Sequence, residues 1–327
     1  MPGSVLTAPA RPRRVVTPAL LLAGAGVLAL LALSLVVGAY DVFGQPDGWE
    51  MFLITRVPRT LALVLAGATM ALSGVIMQLL TQNRFVAPTT TGTTEWAGLG
   101  LLLVTITLPQ AGLGVRMGGA VLAAFVGTMV FFLLLRRVAL TSSLVVPIIG
   151  IMLGTVVSAL TTYLALLTDT LQNLGIWFAG SFTAIYKGQY ELLWLTVIVA
   201  AVLFLAADQF TVAGLGREVA TSVGLSYERV MLLGTVLVAL GTGVTTVIVG
   251  YLPFLGLIVP NVVAMARGDD LRSNLPWIAL TGTALVAACD ILGRIIRYPF
   301  EIPVSLILGL VGAVVFIVLL LRQRPHG

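Results

Sequence analysis

Leu215-Gly-Arg-Glu-Val-Ala-Thr-Ser-Val-Gly-Leu-Ser-Tyr-Glu-Arg229 closes the longest polar island of the chain, Asp208–Arg229, and lies between two apolar runs, Leu192–Ala207 and Val230–Val249. Charges at Arg217, Glu218, Glu228 and Arg229 alternate with Val219, Val223 and Leu225, and Gly224 interrupts the pattern. The spacing predicts a short amphipathic helix, a turn and a second short helix. Such a surface either docks into a groove on a partner or is a plain solvated loop.

Outward from this island the sequence is almost continuously apolar. Of 327 residues 59% are hydrophobic and 9% charged, and the mean hydropathy is +1.09. A soluble domain carries roughly 25% charged residues, so lipid is the expected solvent. A bilayer core is crossed by about 20 apolar residues in a helix. Ten runs qualify as candidates: Val15–Tyr40, Thr60–Leu80, Trp96–Leu108, Met117–Leu135, Leu144–Leu167, Leu192–Ala207, Val230–Val249, Phe254–Ala266, Trp277–Cys289 and Ile302–Leu321. The expected fold is all-α and polytopic, with about ten transmembrane helices. Residues 15–322 form the membrane domain, 1–14 and 323–327 are cytoplasmic tails, and 208–229 is a cytoplasmic loop. Phe254–Ala266, bounded and broken by Pro253 and Pro260, reads as a half-helix or a short span. Arg11, Arg13 and Arg14 precede a first run too long for a secretory signal.

Basic residues fix the expected orientation. Ten crossings from a cytoplasmic N-terminus place 12 Lys and Arg inside and 6 outside. The net charge of +5 is therefore scattered over loops, where it reads as a topology signal and not as a nucleic-acid footprint. A single cysteine, Cys289, and a single histidine, His326, exclude an internal disulfide, a multi-His metal site and a His-based triad within the chain. The one lysine, Lys187, lies in no Gly-rich phosphate-binding string. ATP, if it drives this protein, is expected to be hydrolysed by another chain.

Four further features carry candidate chemistry. Arg56-Val-Pro-Arg59 precedes the second run as a rigid basic corner, suited to an acidic partner surface or to interfacial anchoring. Asp290 and Arg294, spaced i, i+4, form either a structural ion pair or a transport element. Glu301-Ile-Pro303 opens the last helix, where proline and a carboxylate suit the first turn. Gly150, Gly154 and Ser158 make a small-residue stripe that permits close packing or lines a pathway.

Taken in order, Arg56-Val-Pro-Arg59, Leu65-Ala-Gly-Ala68, Ser73-Gly74, Gln78, Asn83 to Pro88, Gly214-Leu-Gly216 to Gly224-Leu225, Gly256-Leu-Ile-Val-Pro260, Asp290 with Arg294, and Glu301-Ile-Pro303 resemble the FecCD family of importer permeases, over about Arg56 to Arg322. The resemblance implies a type II ABC importer permease fold in a bacterial plasma membrane. It implies a second permease subunit, identical or paralogous, two ATPase subunits that bind ATP and Mg, and an extracytoplasmic binding protein. This chain is then no enzyme and holds no cofactor of its own. ATPase coupling falls on Leu215, Gly216, Arg217, Glu218, Val219, Val223, Gly224 and Leu225. Docking of the binding protein falls on Arg56, Arg59, Arg294 and Glu301. The gate and pathway fall near Asn83, Phe85, Thr141, Ser142, Ser143, Gly150 and Gly154.

The chain departs from the family pattern at Arg84, where proline is usual, at Asn261, where histidine is common, and at Gly312-Ala-Val314. The string from Asn83 to Trp96 is similar to an iron–siderophore subgroup, so an iron(III)–siderophore importer is expected before a cobalamin or haem one. An ion-coupled secondary transporter is disfavoured because the acidic residues lie in loops and near helix ends, and an intramembrane enzyme because no catalytic constellation is visible.

Overall fold

The computed structural model describes residues 16–38, 44–137 and 145–322. Every regular element among them is helical: α1 (Pro18–Val36), α2 (Gly48–Met51), α3 (Val57–Thr81), α4 (Thr93–Thr107), α5 (Leu113–Leu135), α6 (Val145–Leu167), α7 (Leu171–Trp177), α8 (Thr196–Leu205), α9 (Ala207–Gly214), α10 (Arg217–Ser222), α11 (Tyr227–Ile248), α12 (Leu255–Arg267), α13 (Leu271–Ile295) and α14 (Val304–Arg322). Each of the ten apolar runs holds one of these helices. Six stretches are long and apolar enough to cross a bilayer unaided, including Gly48–Thr81 taken as one. The others are a pair bent by 68° between Glu191–Leu205 and α9, and the shorter helices α4, α12 and α14.

Helix α3 is the axis of the bundle and the most enclosed of the long helices. Its small residues explain why. A Cβ placed on Gly67 would lie 2.9 Å from the Gly282 carbonyl of α13, and one on Gly74 would lie 1.9 Å from the Gly256 carbonyl of α12. Small residues at these crossings let backbones touch, which is how helices bind one another where lipid offers no hydrophobic gain. The opposite situation holds on α1, where Leu21, Leu22 and Leu28 point outward, as expected of a surface solvated by acyl chains.

Two expectations change on inspection. The Arg56–Arg59 segment is not a corner. The chain is helical from Gly48, passes through a π-turn at Phe52–Arg56, and continues into α3 with Pro58 in its first turn. Proline lacks the N–H that would bond the carbonyl four residues back. That carbonyl, on Ile54, is instead taken by the Lys187 amide at 2.9 Å.

The 208–229 island is also rearranged. Its two short helices are α9 and α10, both before Gly224, and Tyr227–Arg229 already form the first turn of α11. Gly224 ends α10 at φ +83°, with Leu225 donating to the Ala220 carbonyl and Gly224 to that of Thr221. This double bond pattern is the usual glycine stop of a helix, so the glycine that the sequence placed between two helices closes the second of them.

Candidate functional site

Three regions along the bundle hold the candidate residues. At the end where α3 begins, an ion-pair network joins four elements. Arg59 donates from Nε and Nη2 to Asp290 Oδ1, at 3.3 and 2.7 Å, and from Nη1 to both Glu301 oxygens, at 3.0 and 2.9 Å. Arg294 pairs with the other Asp290 oxygen and donates to the Ser34 and Val37 carbonyls at 2.8 and 2.7 Å. Arg56 donates to the same Val37 carbonyl, and Thr183 donates to Glu301 at 2.6 Å. The side chains of Asp290 and Arg294 are 0% and 1% exposed. The Asp290–Arg294 pair is thus real but belongs to a larger cluster, and Glu301 is directed at Arg59 and Thr183 and not at the amides of α14. The arginine groups assigned to docking make these contacts within the fold. What stands exposed beside them is Tyr298 and Phe300.

Burial alone would raise the Glu301 carboxyl, but the Arg59 charge, the Thr183 hydroxyl and the Arg59 hydrogen bonds together hold it below the usual range. A depressed folded value means that its contribution to stability is fully present above the ordinary carboxylate value, about 4.3, and is lost as pH falls through the folded value. Thermal melting of the purified protein between neutral pH and pH about 3 is expected to show this acid loss, and Glu301→Gln to flatten it; identical acid limbs would contradict the assignment.

Between the two ends lies an open cleft of about 810 Å³ that runs along α6 from Gly150 to Leu166 and is bordered also by the turn at Thr89–Gly92, the start of α4, and Tyr251 and Phe254. Gly150 and Gly154 do two things here. A Cβ on Gly150 would lie 2.2 Å from the Thr90 carbonyl, and one on Gly154 would lie 3.2 Å from the Gly92 Cα, so both glycines seat the turn while bordering the cavity. Glu95, Ser158, Thr162 and Tyr251 also line an adjoining cavity of about 430 Å³. Sequence reasoning did not select Glu95, Thr162 or Tyr251. The available signal was Glu95 itself, a carboxylate opening an apolar helix.

At the far end of α3, Asn83 accepts the Phe85 amide at 2.9 Å in a side-chain-closed turn. Phe85 meets Phe316 edge-on at 6.1 Å. Two of the three unusual positions meet: Asn261 donates to the Arg84 carbonyl at 2.7 Å, and Arg84 pairs with Asp269 at 2.9 Å. Thr141, Ser142 and Ser143 lie outside the described residues. Beside this turn, the α9–α10 hairpin leaves Leu215 63%, Val219 44% and Val223 67% exposed. Glu228 anchors it, pairing with Arg136 at 2.8 Å and Arg217 at 3.3 Å, while Leu225 packs on the main core.

A helical bundle tied by ion pairs at one end, cleft along α6 and bearing an apolar knob at the other has the build of a multi-pass membrane protein. The chain belongs to the FecCD transport family, whose model matches residues 19–322. It is 58% identical over 91% of its length to the petrobactin import system permease protein FatD of Bacillus anthracis, of which 89% is covered. It is 39% identical over 90% of its length to the ferric-anguibactin transport system permease protein FatD of Vibrio anguillarum, of which 95% is covered. Among solved structures it is similar to an inward-facing metal-chelate type ABC transporter, with a TM-score of 0.77 and 25% identity, covering 94% of this chain and all of that one.

Proposed function

We propose that this chain is the permease subunit of an ATP-driven importer that carries iron(III)–siderophore complexes across a bacterial plasma membrane. The observation that carries the reading is its 58% identity to a petrobactin import permease over nearly the whole chain. The geometry supports it. A chelate arrives with its metal already coordinated, so the path needs width and hydroxyl or apolar walls more than ligating groups. Among the described residues the 810 Å³ cleft is lined by threonines, glycines and aromatic rings with one charged residue.

The partners in this reading are two ATPase chains, a second permease subunit, and an extracytoplasmic binding protein. Leu215, Val219 and Val223 form the knob that an ATPase groove takes, with Gly216, Arg217, Glu218, Gly224 and Leu225 setting its shape. This places the knob and both termini in the cytoplasm. The binding protein meets the opposite end. There Arg56, Arg59, Arg294 and Glu301 act from beneath, by fixing the strand of chain that displays Tyr298 and Phe300. Asn83, Phe85, Gly150 and Gly154 border the path, and the outward apolar faces of α6 and α14 receive the second permease.

Reconstitution with the ATPase, the second permease and the binding protein tests the reading. Uptake of radio-iron as ferric petrobactin is expected to require ATP; uptake driven by a proton or sodium gradient without ATP would overturn it. In the same vesicles Val219→Asp with Val223→Asp is expected to cut uptake at least tenfold while ATP hydrolysis by the partner chains continues. Uptake and hydrolysis that stay in their normal ratio would remove the knob from the coupling path.

A further inference from the structure

Glu95 begins α4, and a chain position next to a turn ordinarily lies at the membrane surface. The structure places it elsewhere. The connection that follows α3 folds back into the bundle, so that Gly92 touches Gly154, and a Cβ on Gly154 would lie 3.5 Å from the Glu95 carboxylate. Gly154 is the tenth of the 23 residues of α6. At 1.5 Å per residue that is roughly 14 Å from one end of the helix and roughly 20 Å from the other. Glu95 is therefore at a helix end, in the first turn of α4, as the acidic residues were expected to be, but that end lies beside the middle of α6.

Among the described residues its carboxylate has one hydroxyl partner and no basic one. The Thr94 hydroxyl donates to it at 2.8 Å, and among the described residues no Lys or Arg lies within ion-pair distance of it. Arg59 by contrast engages two carboxylates at once. Among the described residues Glu95 is the sole charged one lining either the 810 Å³ or the 430 Å³ cleft, and the other polar groups there include the hydroxyls of Ser158, Thr162 and Tyr251. A carboxylate within a membrane protein is costly to keep and marks a functional path. Hydroxyls around it can orient a hydrogen-bond donor without neutralising it.

We infer that Glu95 sets the charge selectivity of this cavity, forming a subsite with Tyr251, Ser158 and Thr162 for a protonated amine on the transported chelate. This deepens the importer reading and rests on it. Walls that are otherwise uncharged among the described residues let a neutral chelate pass unaided, while an ammonium group gains an ion pair with the Glu95 carboxylate that a peripheral carboxylate does not. The selectivity lies in the permease itself, downstream of whatever the binding protein admits.

The test uses the reconstituted full transporter and three radio-iron probes. Ferric petrobactin reports the underlying reading. A matched pair of synthetic ferric chelates, one with a free aliphatic amine and one with that amine acetylated, reports the subsite. The wild type is expected to favour the amine-bearing chelate about tenfold, and Glu95→Gln to carry both alike. Ser158→Asp in the Glu95→Gln protein restores a carboxylate to the same cavity from an exposed position on α6, and is expected to recover the preference; this keeps the proposal testable if Glu95→Gln folds poorly. Failure of the wild type to import ferric petrobactin sinks the importer reading and the subsite with it. Petrobactin uptake with no amine preference in the wild type, or with the preference intact in Glu95→Gln, overturns the subsite alone. Loss of uptake in Glu95→Gln together with a wild-type requirement for a proton or sodium gradient assigns Glu95 to ion binding and likewise overturns it.

Discussion

Asp290→Asn is expected to destabilise the protein by roughly 3–5 kcal/mol, the usual consequence of removing one partner from a buried ion pair. The carboxylate has no exposed surface and divides its oxygens between Arg59 and Arg294. An amide at this position keeps the shape but removes the charge and replaces one acceptor by a donor aimed at a guanidinium. Arg294, 1% exposed, then retains only the Ser34 and Val37 carbonyls and the Ser34 hydroxyl. Those dipoles do not offset a whole buried charge. Arg59 suffers less, because Glu301 still binds it through two oxygens. Thermal unfolding of detergent-purified protein checks the prediction through a lowered melting temperature. Pairing the change with Arg294→Met should recover much of the loss, because an apolar side chain of similar length does not need a counter-charge. A single-variant loss below about 1 kcal/mol would show that water reaches the network and that the pairs are surface-like in strength. The same reasoning recasts the arginines at 56 and 59. Charge reversal there acts first on the ion-pair cluster, and any effect on a docked protein follows from movement of the Tyr298–Phe300 segment.

Hydropathy made the bundle legible, because in lipid each backbone amide must be satisfied within its own helix and apolar length reports that directly. Local charge spacing made the Asp290–Arg294 pair legible for the same reason: both partners lie on one helix. What stayed hidden depends on contacts that no local pattern carries. Arg56 and Arg59 look like a polar boundary, since the carboxylates that neutralise Arg59 are 231 and 242 residues further on. The helix was therefore expected to start at Thr60 and starts upstream of both arginines. Glu95 looks like a surface residue at a helix start, since only the folding-back of the Asn83–Gly92 segment carries that start to the level of Gly154. The departures at Arg84 and Asn261 looked unrelated at a separation of 177 residues, yet one side chain holds the other's backbone. The hairpin at 207–222 was misdrawn for a different reason. Gly224 is a sound helix terminator, but a terminator does not say which of its two flanks holds the short helices.

Gly74→Leu should prevent stable assembly of the bundle, and Gly74→Ala should already cost about 1–3 kcal/mol, the range for forcing atoms into a filled interior. The added Cβ would meet the Gly256 carbonyl oxygen at 1.9 Å and the Gly256 Cα at 2.4 Å. Both are backbone atoms near the start of α12, so no side-chain rotation relieves the clash. Relief requires α12 to move away from α3. That motion has consequences just before the helix and at its middle. Phe254, immediately before α12, borders the central cavity, and Asn261 within it holds the turn at Arg84. The crossing at Gly74 therefore positions the cleft wall and the turn at Arg84 together. The control is Gly24→Ala on α1, where an added Cβ meets nothing within 4 Å. There the change should be neutral, or stabilising by roughly 0.5–1 kcal/mol from the better helix propensity of alanine. Size-exclusion profiles and thermal unfolding of the three variants in one detergent decide the matter. If Gly74→Leu behaves like wild type while Gly24→Ala does too, α3 and α12 do not cross at this distance, and the cavity between α6 and Phe254 loses the contact that holds its wall in place.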